Sequence, residues 1–383
     1  MTSFAGGKLD AFVGPSELGA ADDLEQVIVS FIEGARESLD VAVQELDSEP
    51  VAQALIDARW RGVAIRAFFE QDYLLSDKLP SARPRGGESD ADALLRVQWQ
   101  ELRRPPERKT NRDIAAALLR SNIDVKSDYN PAIFHQKFAI RDYRGRAMRT
   151  SALLTGSANW TGTDCHKNLN HAIVFHNAKV CAEYQREFDE IRSGSFGRRQ
   201  HGDVPTATNI RGIPVKILFA PDHTPELEIV KQMLKAEQRV DFAIFTFAGS
   251  SAIDDAMAML RRAGVRIRGA MDPKQGRQSW AATPWLHEAG IELSFPKERR
   301  EFGKLHHKLM VIDDAIVVAG SLNYTEPANA YNDENIFVLG SPFPKLPAKD
   351  GGPVDQAACA EICRFFRDEI ERIIAAGERV EPD

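Results

Sequence analysis

Two histidines, each followed two residues later by a lysine, are the residues of this chain best suited to chemistry on an anion. Each pair begins the pattern His-x-Lys-x4-Asp, which is followed by Gly-Ser-x-Asn. The first copy comprises His135, Lys137, Asp142, Gly156, Ser157 and Asn159, and the second comprises His306, Lys308, Asp313, Gly320, Ser321 and Asn323. An imidazole, an ammonium, a hydroxyl and an amide from each copy could surround a tetrahedral phosphate. The repetition therefore predicts one composite active site made from two halves.

Apolar runs after each His-x-Lys pair predict the elements that hold these side chains. The runs 138–140 and 309–312 are short and bounded by polar residues, which is typical of buried strands. Residues two apart in a strand point to the same face, so each histidine and its lysine should project together. The small Gly-Ser pair would then let an anion approach the backbone closely.

The elements around the two motifs also repeat in the same order. Helices are predicted at 24–35 and 227–236, strands at 39–46 and 240–247, helices at 51–61 and 253–262, and closing helices at 180–191 and 354–376. This order predicts an α/β fold of two domains, each a mixed β-sheet flanked by helices. We place the N-terminal domain at 8–195, an exposed linker at 196–213 and the C-terminal domain at 214–378.

An insertion distinguishes the first half. His135 follows Gly62 by 73 residues, whereas His306 follows the matching Gly264 by 42, and most of the excess lies in a predicted long loop near 73–111. Residues 78–149 contain 16 Lys and Arg against 9 Asp and Glu, although the whole chain has a net charge of −7. The basic candidates for substrate binding are Arg103, Arg104, Arg108 and Lys109 in this insertion and Arg146 in a lengthened hairpin after Asp142. Two interpretations stay open: a solvated surface insertion, or a basic flap that attracts a polyanion, with Tyr73 and Trp99 available to stack bases.

The duplicated motif resembles that of the phospholipase D superfamily, whose members join two such halves around a pseudo-twofold axis and cleave phosphodiesters. The resemblance extends over roughly residues 12–340. It implies a site at the interdomain cleft and a metal-independent reaction through a covalent phosphohistidine, with no cofactor. The residues it implies as catalytic are His135, Lys137, Asn159, His306, Lys308, Asn323 and Glu334, supported by Asp142, Ser157, Asn170, Asp313 and Ser321.

The residues that orient the histidines differ between the halves. Glu334 lies eleven residues after Asn323, whereas Asn170 takes the matching place eleven residues after Asn159. A similar asymmetry in tyrosyl-DNA phosphodiesterases, where each such residue serves the opposite half, implies that Glu334 orients His135 as nucleophile and Asn170 supports the other histidine as general acid. The reversed assignment stays open. The two motif aspartates are expected to fix local backbone without touching substrate.

The motifs favour nucleic acid as substrate. The stretches TGSANWT and AGSLNYT resemble nuclease-like members of the superfamily, whereas phospholipid-cleaving members often have Gly-Gly in place of Gly-Ser. The basic insertion points the same way, and the pI near 5.8 weighs against a broad DNA-binding surface. The alternative is a phospholipase D or phosphatidyltransferase acting on membrane lipid head groups. A noncatalytic binding protein is a third hypothesis, which the intact motifs disfavour.

Composition sets the remaining expectations. A 383-residue chain with 43% hydrophobic residues can bury two cores, and a complete site is expected within one chain, with the oligomeric state left open. The sequence has neither a run of about 18 apolar residues nor a signal-peptide pattern, so we expect a cytoplasmic protein with reduced cysteines. Cys165, His166 and His171 lack a recognised ligand spacing, so we predict no metal site.

Overall fold

The computed structural model describes residues 2–74, 84, 86–102, 106–146, 148–197, 204–249, 251–347 and 351–381, without the side chains of 97–102 and 106–109. In these residues the chain forms two nine-stranded sheets with helices packed on them.

The N-terminal sheet is mixed. Its strands are β1 (Thr2–Phe4), β2 (Leu9–Gly14), β3 (Ser38–Val43), β4 (Ala64–Phe69), β5 (Asp124–Ser127), β6 (Lys137–Arg141), β7 (Ala152–Gly156) and β8 (Asn168–Phe175). The accompanying helices are α1 (Leu24–Glu33), α2 (Glu49–Trp60), α3 (Asp90–Leu102), α4 (Pro106–Arg120), α5 (Gly162–His166) and α6 (Ala178–Ser193). The strand order is β1-β2-β8-β7-β6-β3-β4-β5. β3, β4 and β5 run parallel, and the other neighbouring strands of this path pair antiparallel.

The C-terminal sheet repeats this plan. Its strands are β9 (Thr208–Ile210), β10 (Ile213–Ala220), β11 (Arg239–Ile244), β12 (Arg266–Met271), β13 (Glu292–Pro296), β15 (Lys308–Ile312), β16 (Ile316–Gly320), β17 (Glu334–Gly340) and β18 (Gly377–Arg379), whereas β14 (Lys304–Leu305) joins the N-terminal sheet. The helices are α7 (Pro225–Met233), α8 (Ala252–Arg262), α9 (Pro273–Gly276), α10 (Thr283–Glu288), α11 (Glu326–Ala330) and α12 (Gln356–Ala376). The order is β18-β13-β12-β11-β15-β16-β17-β10-β9, with β11, β12 and β13 parallel. The predicted fold of two mixed sheets flanked by helices is therefore confirmed.

Local sequence explains how the repeated helices begin. Asp23 caps α1 by accepting a hydrogen bond from Gln26 N, and Ser48 caps α2 in the same way from Val51 N. Asp355 does the same for α12. A cap of this kind satisfies a backbone donor that the first helical turn leaves without a partner and contributes about 1 kcal/mol.

The two halves share one hydrophobic core. Tyr184 on α6 packs against Phe138 of the first sheet and Phe219 of the second, with ring centroids 5.0 and 5.1 Å apart. Its hydroxyl donates to Asn335 on β17 at 2.9 Å. Separate buried clusters lie under α1 and α2 and under α7 and α8. The shared core joins the sheets rigidly and sets where the two motifs meet. Within the described residues, every helix is too short or too polar to cross a membrane.

Two predicted segments differ from the structure. The loop expected near 73–111 contains α3 and the start of α4, because Ser89 accepts a hydrogen bond from Asp92 N at 3.1 Å and Ala93 is buried. The linker predicted at 196–213 is partly packed: Gly197 is buried and donates its N–H to Asp333 at 2.7 Å. It also includes β9, the edge strand of the second sheet, so its exposure was wrongly predicted.

Candidate active site

Backbone pairing between the halves places the two histidines. His135 N donates to Asp333 O and His306 N donates to Leu169 O, both at 2.9 Å. The two acceptors directly precede Glu334, the first residue of β17, and Asn170 on β8. Each histidine strand therefore begins by pairing with the opposite half, which explains why its imidazole meets a side chain of that half.

The imidazoles contact unequal partners. His135 Nδ1 lies 2.6 Å from Glu334 Oε2, whereas His306 Nδ1 lies 3.1 Å from Asn170 Oδ1. The amide is held with its oxygen toward the imidazole, because its Nδ2 donates to the Asp164 carbonyl at 3.0 Å. Both contacts occupy Nδ1, so Nε2 of each ring is left for the reacting group. The carboxylate supports a charged imidazole ring more strongly than the amide does.

The motif serines lie beneath the orienting residues. Ser157 Oγ donates to Asn170 at 2.7 Å, and Ser321 Oγ donates to Glu334 at 2.6 Å. Both serines are fully buried. The expectation that their hydroxyls surround the phosphate is therefore wrong, because each hydroxyl is already used to hold the residue that touches a histidine.

The motif glycines are required by close backbone approach. A Cβ at Gly156 would lie 2.2 Å from the His171 carbonyl oxygen, and one at Gly320 would lie 2.3 Å from that of Asn335. Real Cβ atoms do not approach an oxygen so closely. Glycine at these positions lets β7 and β16 pack against the strands that carry the orienting residues.

Both lysines are buried beside the histidines. Lys137 Nζ and Lys308 Nζ each donate to the carbonyl of their own motif histidine at 2.8 Å. Lys137 also donates to Gln44 Oε1 at 3.1 Å. Lys308 instead lies 5.1 Å from the ring centroid of Phe245, the residue in the matching place. The site thus holds two ammonium groups whose surroundings differ.

Burial and mutual charge shift the pKa values of these groups. Burial lowers the pKa of both histidines well below the usual value, and the two lysines lower it further. Burial lowers the pKa of Lys137 to about 8 and raises that of Glu334 to about 8. Lys308 is shifted down for the same reason. An anionic phosphate placed here would favour the protonated forms of histidine and lysine and so oppose the shifts of those groups. A positive charge on the His135 ring would oppose the shift of Glu334 and favour its carboxylate form.

The motif aspartates accept hydrogen bonds from backbone N–H groups at positions distant from the histidines. Asp142 accepts hydrogen bonds from Arg36 N and Glu37 N at 2.9 and 2.8 Å. Asp313 accepts from Gln238 N and Arg239 N at 2.9 and 2.8 Å. They follow β6 and β15 at the ends opposite the histidines.

Asp164 is a site residue that the sequence analysis missed. Its carboxylate accepts a hydrogen bond from Asn159 N at 2.7 Å, and its Oδ2 lies 3.6 Å from His306 Nδ1. Asn168 also donates to it. The matching residue of the other half is Ala328. Aligning the repeats would have revealed this difference.

Phe245 is a second missed residue. Its ring centroid lies 4.9 Å from that of His306 in an edge-on arrangement. It is half-buried and continues β11 toward the site. Gln44 takes the matching position in the first half, so a comparison of the two repeats would have revealed this residue as well.

The motif asparagines complete the site. The amide oxygens of Asn159 and Asn323 are buried and have no hydrogen-bond partner among the described residues. Two amides, two lysines and two imidazoles are thus concentrated between the halves. This set can bind a phosphate, attack phosphorus and donate a proton.

Among the predicted substrate-binding cations, Arg146 is the one whose side chain the structure describes. Arg146 is exposed at the β6–β7 connection, beyond the end of β6 opposite His135, and its N–H donates to Glu37. A five-residue strand is about 16 Å long, so Arg146 lies far from His135, and its contact with substrate stays a prediction. Arg103 and Arg104 lie outside the described residues, as do the side chains of Arg108, Lys109 and Trp99. Tyr73 is half-buried beside α4.

No candidate metal centre is found in the described part of the chain. No group of three or more His, Cys, Asp or Glu side chains has a ligand-like arrangement there. Cys165 is fully buried, and His166 Nδ1 lies 2.7 Å from Glu17. His171 stacks on His307 with ring centroids 5.4 Å apart.

Two α/β halves that contribute one His-x-Lys pair each to a shared site define a duplicated phosphodiesterase architecture. The family model of the cardiolipin synthase, phospholipase D-like domain matches residues 28–192 and 229–348, which is most of the chain. The chain therefore belongs to the phospholipase D superfamily and is a phosphodiesterase of that class.

Relatives in this superfamily are distant. A mitochondrial cardiolipin hydrolase of Chlamydomonas reinhardtii is 25% identical over 189 residues, covering 43% of this chain and 83% of that protein. A phospholipase D of Rickettsia prowazekii is 27% identical over 125 residues, covering 33% of this chain and 59% of that protein. The structure of a phosphatidylserine synthase from Haemophilus influenzae superposes with a TM-score of 0.61 at 11% identity, covering 99% of this chain and 88% of that one. This last similarity concerns the fold.

Proposed function

We propose that the protein is a metal-independent nuclease that cleaves nucleic-acid phosphodiesters through a covalent phosphohistidine on His135. The observation that carries the mechanism is the unequal, crosswise support of the two histidines. Glu334 touches the imidazole that must become a cationic phosphohistidine, and the neutral Asn170 touches the imidazole that must release a proton.

In the first step, His135 Nε2 attacks phosphorus and a phosphorus–nitrogen bond forms. The bond from phosphorus to the departing ester oxygen breaks, and that oxygen takes the proton of His306 Nε2. General-acid catalysis of this kind contributes roughly 100- to 10,000-fold in rate. Glu334 stabilises the charge on the modified ring by accepting its Nδ1–H.

In the second step, His306 accepts a proton from water. The water oxygen bonds to phosphorus while the phosphorus–nitrogen bond breaks, which returns both histidines to their starting states. Throughout, the buried Lys137 and Lys308 offset the negative charge of the phosphoryl oxygens, and the side-chain N–H groups of Asn159 and Asn323 donate hydrogen bonds to them.

Nucleic acid is proposed as the substrate because of the residues around the two Gly-Ser turns. Both turns carry Gly-Ser followed by an aromatic residue and threonine, as in nuclease-like members, at Trp160–Thr161 and Tyr324–Thr325. The relatives named cardiolipin hydrolase and phospholipase D favour a second candidate, hydrolysis of a phospholipid. The same two-step chemistry serves either diester.

The test compares substrates in EDTA. Labelled single-stranded DNA, duplex DNA and RNA, and vesicles containing phosphatidylcholine or cardiolipin, are incubated with the wild type and with His135→Ala and His306→Ala. His176→Ala is the matched control, since this partly exposed histidine pairs with Asp10 on β2. The proposal is supported if nucleic acid is cleaved in EDTA, and if this cleavage is lost in both motif variants but kept in the control. Turnover of vesicles without nucleic-acid cleavage would replace it with the lipid function.

A further inference from the structure

A groove of about 690 Å³ lies beside the C-terminal half of the site. Its most prominent wall residues are Trp280 and Trp285, which are 46% and 41% exposed. Thr246, Ser279 and Thr325 add polar groups to the lining. Two large aromatic surfaces left open to solvent next to hydrogen-bonding groups are suited to a flat ligand with an apolar face and polar edges.

Two residues that line the groove are close in the chain to residues of the site. Thr246 directly follows Phe245, whose ring contacts His306. Thr325 N donates to the carbonyl of Asn323 at 2.9 Å. The groove therefore begins within two residues of catalytic side chains and lies on the side of the general acid.

Backbone hydrogen bonds hold the tryptophan-bearing loop in place. Gly249 N donates to the Trp280 carbonyl at 3.0 Å, and Ala282 N donates to the Phe247 carbonyl at 2.9 Å. The wall is thus built into the sheet-end loops, so a ligand would meet a preformed surface.

The corresponding place in the N-terminal half is closed. There α4 packs over the end of β3, and Asn111 accepts a hydrogen bond from Leu46 N at 3.0 Å. Tyr73 and Ile114 help to line the remaining space, which is about 10 Å³. The half that carries the general acid therefore has an open aromatic groove where the described residues of the other half leave little space.

From this placement we propose that the groove binds an unpaired base of the substrate strand, on the leaving-group side of the scissile phosphate. This inference rests on the nuclease function proposed above. An indole stacks on the face of any base, and the threonine and serine hydroxyls suit the polar edge of a base better than a lipid chain. Lys304 is exposed, with Nζ 5.4 Å from the ring centroid of Phe245, where it can approach a neighbouring backbone phosphate.

The experiment measures kcat/KM on single-stranded oligonucleotides of defined cleavage position, intact or with one base removed at each position in turn. Base stacking predicts a loss of about ten-fold or more when the base next to the scissile phosphate on the leaving-group side is absent. Trp280→Ala and Trp285→Ala should lose a similar factor on the intact strand and little more on the abasic one. Trp280→Phe should recover most of the loss, because a phenyl ring also stacks.

Two controls separate the groove from the chemistry. Trp60→Ala removes a tryptophan that is 73% exposed on α2 and should cleave like the wild type. For Trp280→Ala and Trp285→Ala, the loss on the oligonucleotide should exceed the loss on a small chromogenic phosphodiester by about ten-fold. If the tryptophan variants lose equal factors on both substrates, or lose as much on the abasic strand as on the intact one, the base-binding role of the groove is contradicted and the nuclease function is not. Chromogenic turnover by the wild type without cleavage of any oligonucleotide would overturn the nuclease function and the groove with it.

Discussion

The C-terminal half contacts the histidine of the other half through a carboxylate, that of Glu334. The N-terminal half makes the matching contact through an amide, that of Asn170. The histidine that receives the amide has Asp164 within 3.6 Å, while the equivalent position in the second half is Ala328. The two imidazoles thus share a backbone geometry but differ in electrostatic support.

The difference extends beneath the site. Behind one histidine, Asn335 donates to Gln136 at 2.6 Å; behind the other, His171 and His307 stand 3.2 Å apart at the matching positions. The two halves therefore repeat the same backbone arrangement but carry different side chains around and beneath the histidines. Two equivalent histidines would need something else to decide which attacks and which donates a proton.

Replacing the motif histidines should have the largest effect. His135→Ala and His306→Ala should each lower kcat by at least about 1,000-fold on a natural diester. On a diester with a nitrophenolate leaving group, which needs no proton, the rate of nitrophenolate release in the first turnover should recover at least ten-fold of that loss for His306→Ala and none of it for His135→Ala. Steady-state assays on the natural diester and rapid-mixing assays of the first turnover on the nitrophenyl diester measure this, and equal recovery would contradict the unequal roles.

Glu334→Gln should have the next largest effect. The amide keeps the shape of the side chain but removes the charge that stabilises the cationic phosphohistidine, so kcat should fall by about 100-fold. KM should change little, because the group does not contact substrate. Asn332→Ala is a useful control, since its Nδ2 lies 3.4 Å from Glu334 Oε1 and its loss leaves the carboxylate in place. A larger effect of the control than of Glu334→Gln would contradict the assignment.

The pH dependence should report the general acid. Burial, followed by the charges of Lys308 and Lys137, lowers the pKa of His306. In the free enzyme the protonated form is therefore scarce above pH 6.5, and kcat/KM should fall by about ten-fold for each pH unit above the lowered pKa. Asn170→Asp places a carboxylate at Nδ1, favours the charged ring and should move this limb to higher pH. If the fall of kcat/KM with pH is unchanged in Asn170→Asp, it reports a titrating group other than His306.

The buried His171–His307 pair should make the fold sensitive to acid. Burial lowers the pKa of both rings, while the hydrogen bond to Glu369 opposes this for His307. Below pH 6.5 the unfolded chain binds more protons than the native one. The two neutral rings therefore contribute fully to the free energy of unfolding above pH 6.5, and this free energy decreases as the pH falls. Each ring contributes about 1.4 kcal/mol per pH unit.

A double variant tests this contribution. His171→Asn with His307→Gln copies the amide pair, Asn335 and Gln136, that occupies the matching positions behind His135. The slope of unfolding free energy between pH 6.5 and 5, measured by urea titration, should decrease by up to about 3 kcal/mol per pH unit. An unchanged slope would show that the pair keeps its ordinary pKa in the native state.

The sequence was sufficient for the fold and for the residues that meet at the site, because strand periodicity and a repeated motif are local patterns. It was less informative about what each side chain touches. Ser157 and Ser321 were expected at the phosphate but lie beneath the orienting residues. Arg146 was predicted to contact substrate, and its place at the end of β6 opposite His135 leaves that contact a prediction.

Asp164 and Phe245 escaped prediction for a related reason. Neither belongs to the motif. The proximity of Asp164 to His306 depends on how the two halves pack, and that of Phe245 depends on the pairing of β11 with β15. The partly buried linker reflects the same limit, since Gly197 is held by a residue 136 positions away. Contacts between halves cannot be read from composition or spacing within one half.

The most direct test of unequal histidines is to trap the covalent intermediate. A substrate labelled at the scissile phosphate is mixed rapidly with the protein, quenched under denaturing alkaline conditions that preserve phosphohistidine, and digested for peptide mapping. We predict label on the peptide that contains His135, and none in His135→Ala. Label on the peptide that contains His306 would contradict the account and reverse the two roles.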